Sequence, residues 1–159
     1  MNKALFALAT VALVVVFTSA RYTAPADARV GFQAPTLHLT GEQGEKSLAQ
    51  YRGQWVLVTF WTSAEPQSRL LNIEHARAAE SGNGFAHVGV NLDRSRGLFN
   101  LLVACDNVQG SAQWQVDAHE REQVMNLWRQ SDERLTSLLI DPTGKVAAIN
   151  PSASELKQL

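Results

Sequence analysis

With 159 residues the chain is long enough for one domain with a proper core rather than two. Hydrophobic residues make up 45% and charged residues 18%, and the net charge of −1 with scattered Lys and Arg excludes wholesale disorder and offers nucleic acid no basic footprint. A single cysteine, Cys105, excludes an internal disulfide and any cysteine-rich metal site.

The first residues are expected to lie outside the fold. Lys3 supplies a positive start, Ala4 to Phe17 is an almost unbroken apolar run, and Thr18, Ser19 and Ala20 are small, as are Ala24 and Ala26. This is the layout of a secretory signal peptide over residues 1–20, with cleavage after Ala20 or Ala26. The apolar run is short for a membrane span, so an uncleaved anchor is the lesser reading, and it alone would bring the protein to a membrane. No cysteine near the junction leaves no site for a lipid anchor. Residues 21–29 read as a linker and residues 30–159 as the domain, expected in the periplasm or cell envelope.

Thr36 to Thr40 alternates around Leu37 and Leu39 and reads as a short strand. Gly41 to Gly44 is a turn, and Ser47 to Tyr51 a helical turn closed by Gly53. Trp55-Val-Leu-Val-Thr-Phe-Trp61 is a continuous β-branched and aromatic run, the pattern of a strand buried on both faces. Ser63 is placed to cap a helix with Pro66 in its first turn, running to about Glu80 and stopped by Ser81-Gly82-Asn83-Gly84. Its apolar positions are untidy, so the helix rests on propensity and flanking signals. Phe85 to Leu92 is a second buried strand, Ser95 to about Asp106 a helix, and Ala112 to Val116 a short strand. Asp117 is expected to cap a helix reaching Trp128. Leu135 to Ile140 and Val146 to Ile149 form a hairpin across Asp141-Pro-Thr-Gly144, and Ser152 to Leu159 a terminal helix. Strands alternating with helices, then a closing hairpin, predict a three-layer α/β/α sandwich with a mixed central sheet.

Several segments have a familiar form. Gly31-Phe-Gln-Ala-Pro-Thr-Leu-His-Leu39, Tyr51-Arg-Gly53 and Val56-Leu-Val-Thr-Phe-Trp61 resemble the opening of thioredoxin-like envelope proteins of the TlpA/ResA (redoxin) type. Gly84 to Asp93 resembles their next strand, and Leu138-Leu-Ile-Asp-Pro-Thr-Gly-Lys-Val146 their closing hairpin. The resemblance spans nearly the whole domain and implies a thioredoxin-like fold. It also implies where a redox site is missing. Redox-active relatives carry Cys-x-x-Cys directly after the Phe-Trp strand; here Phe60-Trp-Thr-Ser-Ala-Glu-Pro-Gln-Ser68 places Glu65 and Ser68 at those positions. The glutamate three residues past the second cysteine is Leu71, and the cis-proline before the last hairpin is Leu135. Thiol exchange needs a thiolate at a helix N-terminus and a second thiol to resolve the mixed disulfide. Neither a carboxylate nor an unactivated hydroxyl does that work.

The resemblance therefore implies a redox-inactive protein, leaning away from an enzyme, that keeps the former substrate groove for a peptide or protein partner of the envelope. Trp61, Thr62, Ser63, Glu65, Ser68, Arg134, Leu135 and Thr136 are the expected lining. An acid/base or ligand role for Glu65 and Ser68 is the sharper alternative to a helix-terminal acid and a small filler residue. Trp114 and Trp128 are expected to pack in the core or at its edge. Cys105, in the apolar stretch Leu101-Leu-Val-Ala-Cys105, is expected to be buried and structural; the alternative is a thiol-dependent oxidoreductase or peroxidase-like protein acting through it. A purely structural subunit is the third reading. His38, His75, His87 and His119 have no metal-pair spacing, so no metal and no cofactor is expected.

Overall fold

Trp55–Trp61, the strongest strand signal in the sequence, becomes the centre of the sheet. The computed structural model describes residues 28–37, 39–41, 44–124 and 136–159. In chain order these form β1 (Leu39–Gly41), β2 (Gly44–Lys46), a 3-10 turn (Leu48–Tyr51), β3 (Trp55–Trp61) and α1 (Pro66–Glu80). Then follow β4 (Phe85–Asn91), α2 (Arg96–Cys105), β5 (Ala112–Val116), β6 (Ser137–Ile140), β7 (Val146–Ile149) and α3 (Ala153–Leu156). The described strands make one sheet in the order β2-β1-β5-β4-β3-β6-β7. β3, β4 and β5 run parallel, in the register Val58 opposite Val88 and Val88 opposite Ala112. β6 joins β3 antiparallel and β7 closes that flank, while on the other side β1 joins β5 and β2 closes the edge, all antiparallel. This is the expected mixed α/β sheet.

Alternation along the strands divides the core between two faces. Val56, Val58, Phe60, Val88, Val90, Trp114 and Leu138 point to one face, where Leu37, Leu48, Tyr51 and Val124 cover them. Leu57, Phe85 and Leu139 point to the other, beneath Leu156 of α3 and the alanines at the end of α1. Trp61 shares that second face and meets Phe99 of α2 with ring centroids 6.1 Å apart, so α2 lies on the α1 side. Each aliphatic side chain fully removed from water contributes about 1.5–3 kcal/mol, and this two-sided burial fixes the parallel core.

Helix α1 is different. Its buried residues are Ser68, Asn72, His75 and Ala76, one helical stripe that is mostly polar. The untidy apolar pattern in the sequence is this stripe: the inner face carries hydrogen-bonding groups instead of leucines. They meet a polar sheet surface made by Thr59, His87, Asn91 and Gln115, all buried. Gly89 is part of the fit. Asn72 of α1 and Gln113 of β5 pair directly above it, and a methyl group there would run into both side chains.

The helix starts differ from expectation at one point. Ser63 does not cap α1; Glu65 is the N-cap residue and Pro66 the first helical one. Proline at that position drives its predecessor to extended backbone, and Glu65 has φ −128° and ψ 97°. Ser95 caps α2 and Ser152 caps α3 through a reciprocal bond with Glu155. α3 is the single turn Ala153–Leu156, shorter than the Ser152–Leu159 expected. The hairpin turn is closed by Asp141, whose Oδ1 accepts from Thr143 and Lys145. Leu135 and the body of the helix expected up to Trp128 lie outside the described residues, as does His38; of that helix the described start is residues 121–124. No cis peptide bond occurs among the described residues.

Candidate functional site

β3 ends at Trp61, and the chain crosses to α1 through Thr62, Ser63, Ala64 and Glu65. This crossing is bound tightly to its surroundings. The Thr62 hydroxyl donates to Asp93 Oδ1 at 2.7 Å, and Ser63 donates through its main-chain N–H to Oδ2 at 2.9 Å and through its hydroxyl to Oδ1 at 3.0 Å. Asn91 adds a further bond to Oδ2 at 2.9 Å. Gln115 and Arg121 donate to the main-chain carbonyl of Asp93. Burial of the Asp93 carboxyl pushes its pKa up, but the bonds from Asn91, Thr62 and Ser63 together outweigh this and hold it below the usual carboxylate value. Asp93 is thus the fixed point on which the β3–α1 loop rests.

Ser68 is buried at 2% exposure on the third residue of α1. Its hydroxyl accepts from the Thr62 N–H at 3.2 Å and donates to the Glu65 carbonyl at 2.9 Å. Donor and acceptor are both occupied, and among the described residues no side-chain base is hydrogen-bonded to the oxygen to activate it. Glu65 makes no side-chain capping bond to the helix it precedes. A cleft of about 520 Å³ opens beside these two residues, bordered by Glu65, Ser68, Leu71 and Thr136 and continuing along α1 past Leu70 and Glu74. Thr136 is held from behind: its N–H and hydroxyl donate to Asn150 Oδ1, and its carbonyl accepts from Phe60.

The expected lining residues separate into three sets. Glu65, Ser68 and Thr136 come together at the cleft. Thr62 and Ser63 face Asp93 and act as loop anchors. Trp61 does not reach the surface: it is 0% exposed and packed on Phe99, as the second face of a doubly buried strand requires. Arg134 and Leu135 lie outside the described residues. Leu70, 56% exposed, and Glu74 were not among the expected residues; their signal is the α1 periodicity itself, which places 67, 70, 71 and 74 on one flank.

Cys105 corrects the sequence reading. It is exposed at the last residue of α2, because the helix turns Phe99 inward and leaves Leu98 and Leu101 in solvent. Next to it, Asp106 receives a two-pronged ion pair from Arg69 of α1. Trp114 is buried in the core as expected.

Behind the cleft wall, the Thr59 hydroxyl lies 2.8 Å from His75 Nδ1 and 3.0 Å from His87 Nε2. Burial pushes His75 down to about 4, and burial with the neighbouring His75 pushes His87 down to about 3. Both rings are neutral in the folded protein above those values. Among the described residues no group of three His, Cys, Asp or Glu side chains is placed to hold a metal ion.

No protein-family model matches the chain, and no curated protein sequence matches it. Solved structures do. The thioredoxin domain of a thiol-disulfide oxidoreductase from Bacteroides vulgatus superposes with a TM-score of 0.68 at 22% identity, over 82% of this chain and 94% of that one. A thiol:disulfide interchange protein from a Bacteroides species gives 0.68 at 22% identity, over 83% and 88%. A thiol-disulfide oxidoreductase from Bacteroides fragilis gives 0.61 at 23% identity, over 79% and 95%. The chain has a thioredoxin fold. In that fold the segment from Trp61 to Ser68 is the loop and helix start where the resemblance to TlpA/ResA-type proteins looks for two cysteines, and the sequence has neither.

Proposed function

We propose that this chain is a redox-inactive thioredoxin-fold protein of the cell envelope that binds an extended peptide or protein segment in the cleft between α1 and Thr136. The observation that carries the reading is the state of Ser68: a buried hydroxyl with its donor and acceptor both engaged inside the loop, beside a cleft that stays open. The chemistry is absent while the surface next to it persists. A rigid, prearranged wall suits binding, since little ordering entropy is lost when a partner docks. The N-terminal apolar segment supports export, and no helix among the described residues is long and apolar enough to cross a membrane.

Two measurements test this. Purified protein should show no turnover in insulin reduction or disulfide isomerisation; turnover that survives Cys105→Ser defeats the redox-inactive reading. Affinity capture from envelope extract should return partners with the wild type and lose them with the Leu70→Asp/Glu65→Lys double variant, both cleft residues. Capture of the same partners by both proteins removes the cleft from consideration.

The exposure of Cys105 gives a second reading a specific footing: an accessible thiol acting with a partner's thiol. Its position weakens that case, because it closes a helix at the negative end of the dipole, whereas nucleophilic thiolates are served by the positive end. Loss of a peroxide- or disulfide-dependent activity on Cys105→Ser would establish it.

A further inference from the structure

We propose that the Thr59–His75–His87 chain is an acid-sensitive latch that holds α1 on the sheet at neutral pH and releases it on acidification. Thr59 (β3), His75 (α1) and His87 (β4) are 0%, 7% and 3% exposed, and the two rings stand edge to face with centroids 6.1 Å apart. The hydroxyl joining them has one proton to give. It donates to one ring and accepts from the other, which requires one bare nitrogen and one N–H pointing at it.

The remaining ring nitrogens decide the direction. His87 Nδ1 is buried with no hydrogen-bond partner among the described residues, so a proton there would be an orphan donor. The chain therefore runs from His87 Nε2–H to the Thr59 oxygen, and from the Thr59 hydroxyl to His75 Nδ1. A proton arriving at His75 Nδ1 meets the Thr59 proton head-on. Reversing the chain to accept it sends a proton to His87 Nδ1, where nothing receives it. Charging both rings sets two cations side by side and leaves the hydroxyl proton without an acceptor. Protonating His87 directly at Nδ1 keeps both bonds but leaves that N–H an orphan donor on a buried cation, so every protonated form is costly while the latch is closed.

Among the described residues no counter-charge offsets this. On α1 the nearby ionisable groups Glu74, Arg77 and Glu80 face solvent. The facing sheet residues are neutral: Leu57 and Trp61 on β3, Gly89 and Asn91 on β4, Gln113 and Gln115 on β5, Ser137 and Leu139 on β6. Asp93 lies beyond the end of β4 with its carboxylate bonded to the β3–α1 loop. Glu155 and Lys157, in and just after α3, are exposed, and on α2 Arg96 lies over the Phe99 ring. Asp106 is engaged by Arg69.

The sign follows from linkage. Both histidines have folded values below the ordinary 6.5, so their contribution is fully present above 6.5 and is lost as pH falls toward about 4 for His75 and about 3 for His87. With both rings charging only when α1 lifts, the opening equilibrium rises up to roughly 100-fold per pH unit in that window. Because α1 carries Leu70, Leu71 and Glu74, release dissolves one wall of the cleft. The latch itself stands whether or not the cleft binds a partner; only this consequence rests on the proposed function.

Hydrogen exchange by mass spectrometry, corrected for the pH dependence of intrinsic exchange, reads the opening directly. Between pH 6.5 and 4 the peptides of α1 in the wild type should open steeply while those of the β6–β7 hairpin stay protected. The His75→Asn/His87→Gln variant, whose amides occupy the same ring-nitrogen positions without titrating, should lose that slope. A flat wild-type profile, an equal slope in the variant, or a loss of protection as large in the hairpin as in α1 overturns the latch. Should the double variant fail to fold, the wild-type ring resonances decide: both rings neutral in folded protein at pH 5 supports the proposal, and either one titrating near 6.5 overturns it.

Discussion

Asp93 holds together groups that are about thirty positions apart in sequence, Thr62 and Ser63 on one side and its own carboxylate on the other. Removing it leaves two hydroxyls, an amide and a main-chain N–H to find water in a half-buried loop. Asp93→Ala should destabilise the protein by about 1–3 kcal/mol in urea titration. Asp93→Asn should cost less near neutral pH, and its deficit should vanish at acid pH: the folded carboxyl is held below its ordinary value, so its contribution exists above about pH 4 and fades as the group protonates. Nothing local in the sequence announces such a hub, because side chains that meet across the fold leave no spacing pattern. Trp61 was readable: a strand buried on both faces buries its last residue too, and the groove assignment drawn from the resemblance overrode that rule. Cys105 was not, because an apolar helical window does not say which flank faces inward. Its exposure implies that Cys105→Ser changes stability by less than about 0.5 kcal/mol, and that the native thiol reacts fully with a chromogenic disulfide.

At the level of elements, α1 is seated by polar contacts and by its two ends. Arg69 binds Asp106 at the end of α2, joining the first turn of one helix to the last of another. Arg69→Met should lower stability by about 1–3 kcal/mol, and Arg69→Lys should restore only part of it, since a point charge replaces a two-pronged fork. Gly89→Ala should cost a similar amount through overpacking against Asn72 and Gln113, and pairing it with Asn72→Ala should recover some of the loss. Cysteines placed at Glu65 and Ser68 in a Cys105→Ser background should close a disulfide on mild oxidation, with a mass loss of two hydrogens. Failure of the folded triple variant to do so would count against these positions as the site's former thiols. Helix starts were legible from Pro66, Ser95 and Ser152, whose chemistry is local. The polar underside of α1 was not: its apolar positions look untidy in the sequence, and Asn72 and His75 find their partners, Gln113 and Thr59, only across the fold.

Across the whole molecule, the strands of the core and the closing hairpin are legible from buried runs and turn residues because those signals are short-range, whereas the order of the strands in the sheet is not. The export expectation belongs to the N-terminal segment: mass spectrometry of natively expressed protein should find a chain beginning after Ala20 or Ala26, and an intact Met1 terminus in the membrane fraction would favour an anchor instead. The polar seam beneath α1 carries one more consequence, thermodynamic in kind. Denaturant sensitivity and heat capacity both track the area a transition exposes, and polar surface lowers the heat-capacity change where apolar surface raises it. Lifting α1 uncovers Asn72, His75, Thr59 and Gln113 along with a smaller apolar area under Ala76, Ala78 and Ala79, whereas global unfolding uncovers the whole Val58, Val88 and Leu138 core as well. The partial opening should thus respond less to urea and to temperature than the global one, so that mild acid, rather than heat or denaturant, is the condition that most selectively separates this helix from its sheet.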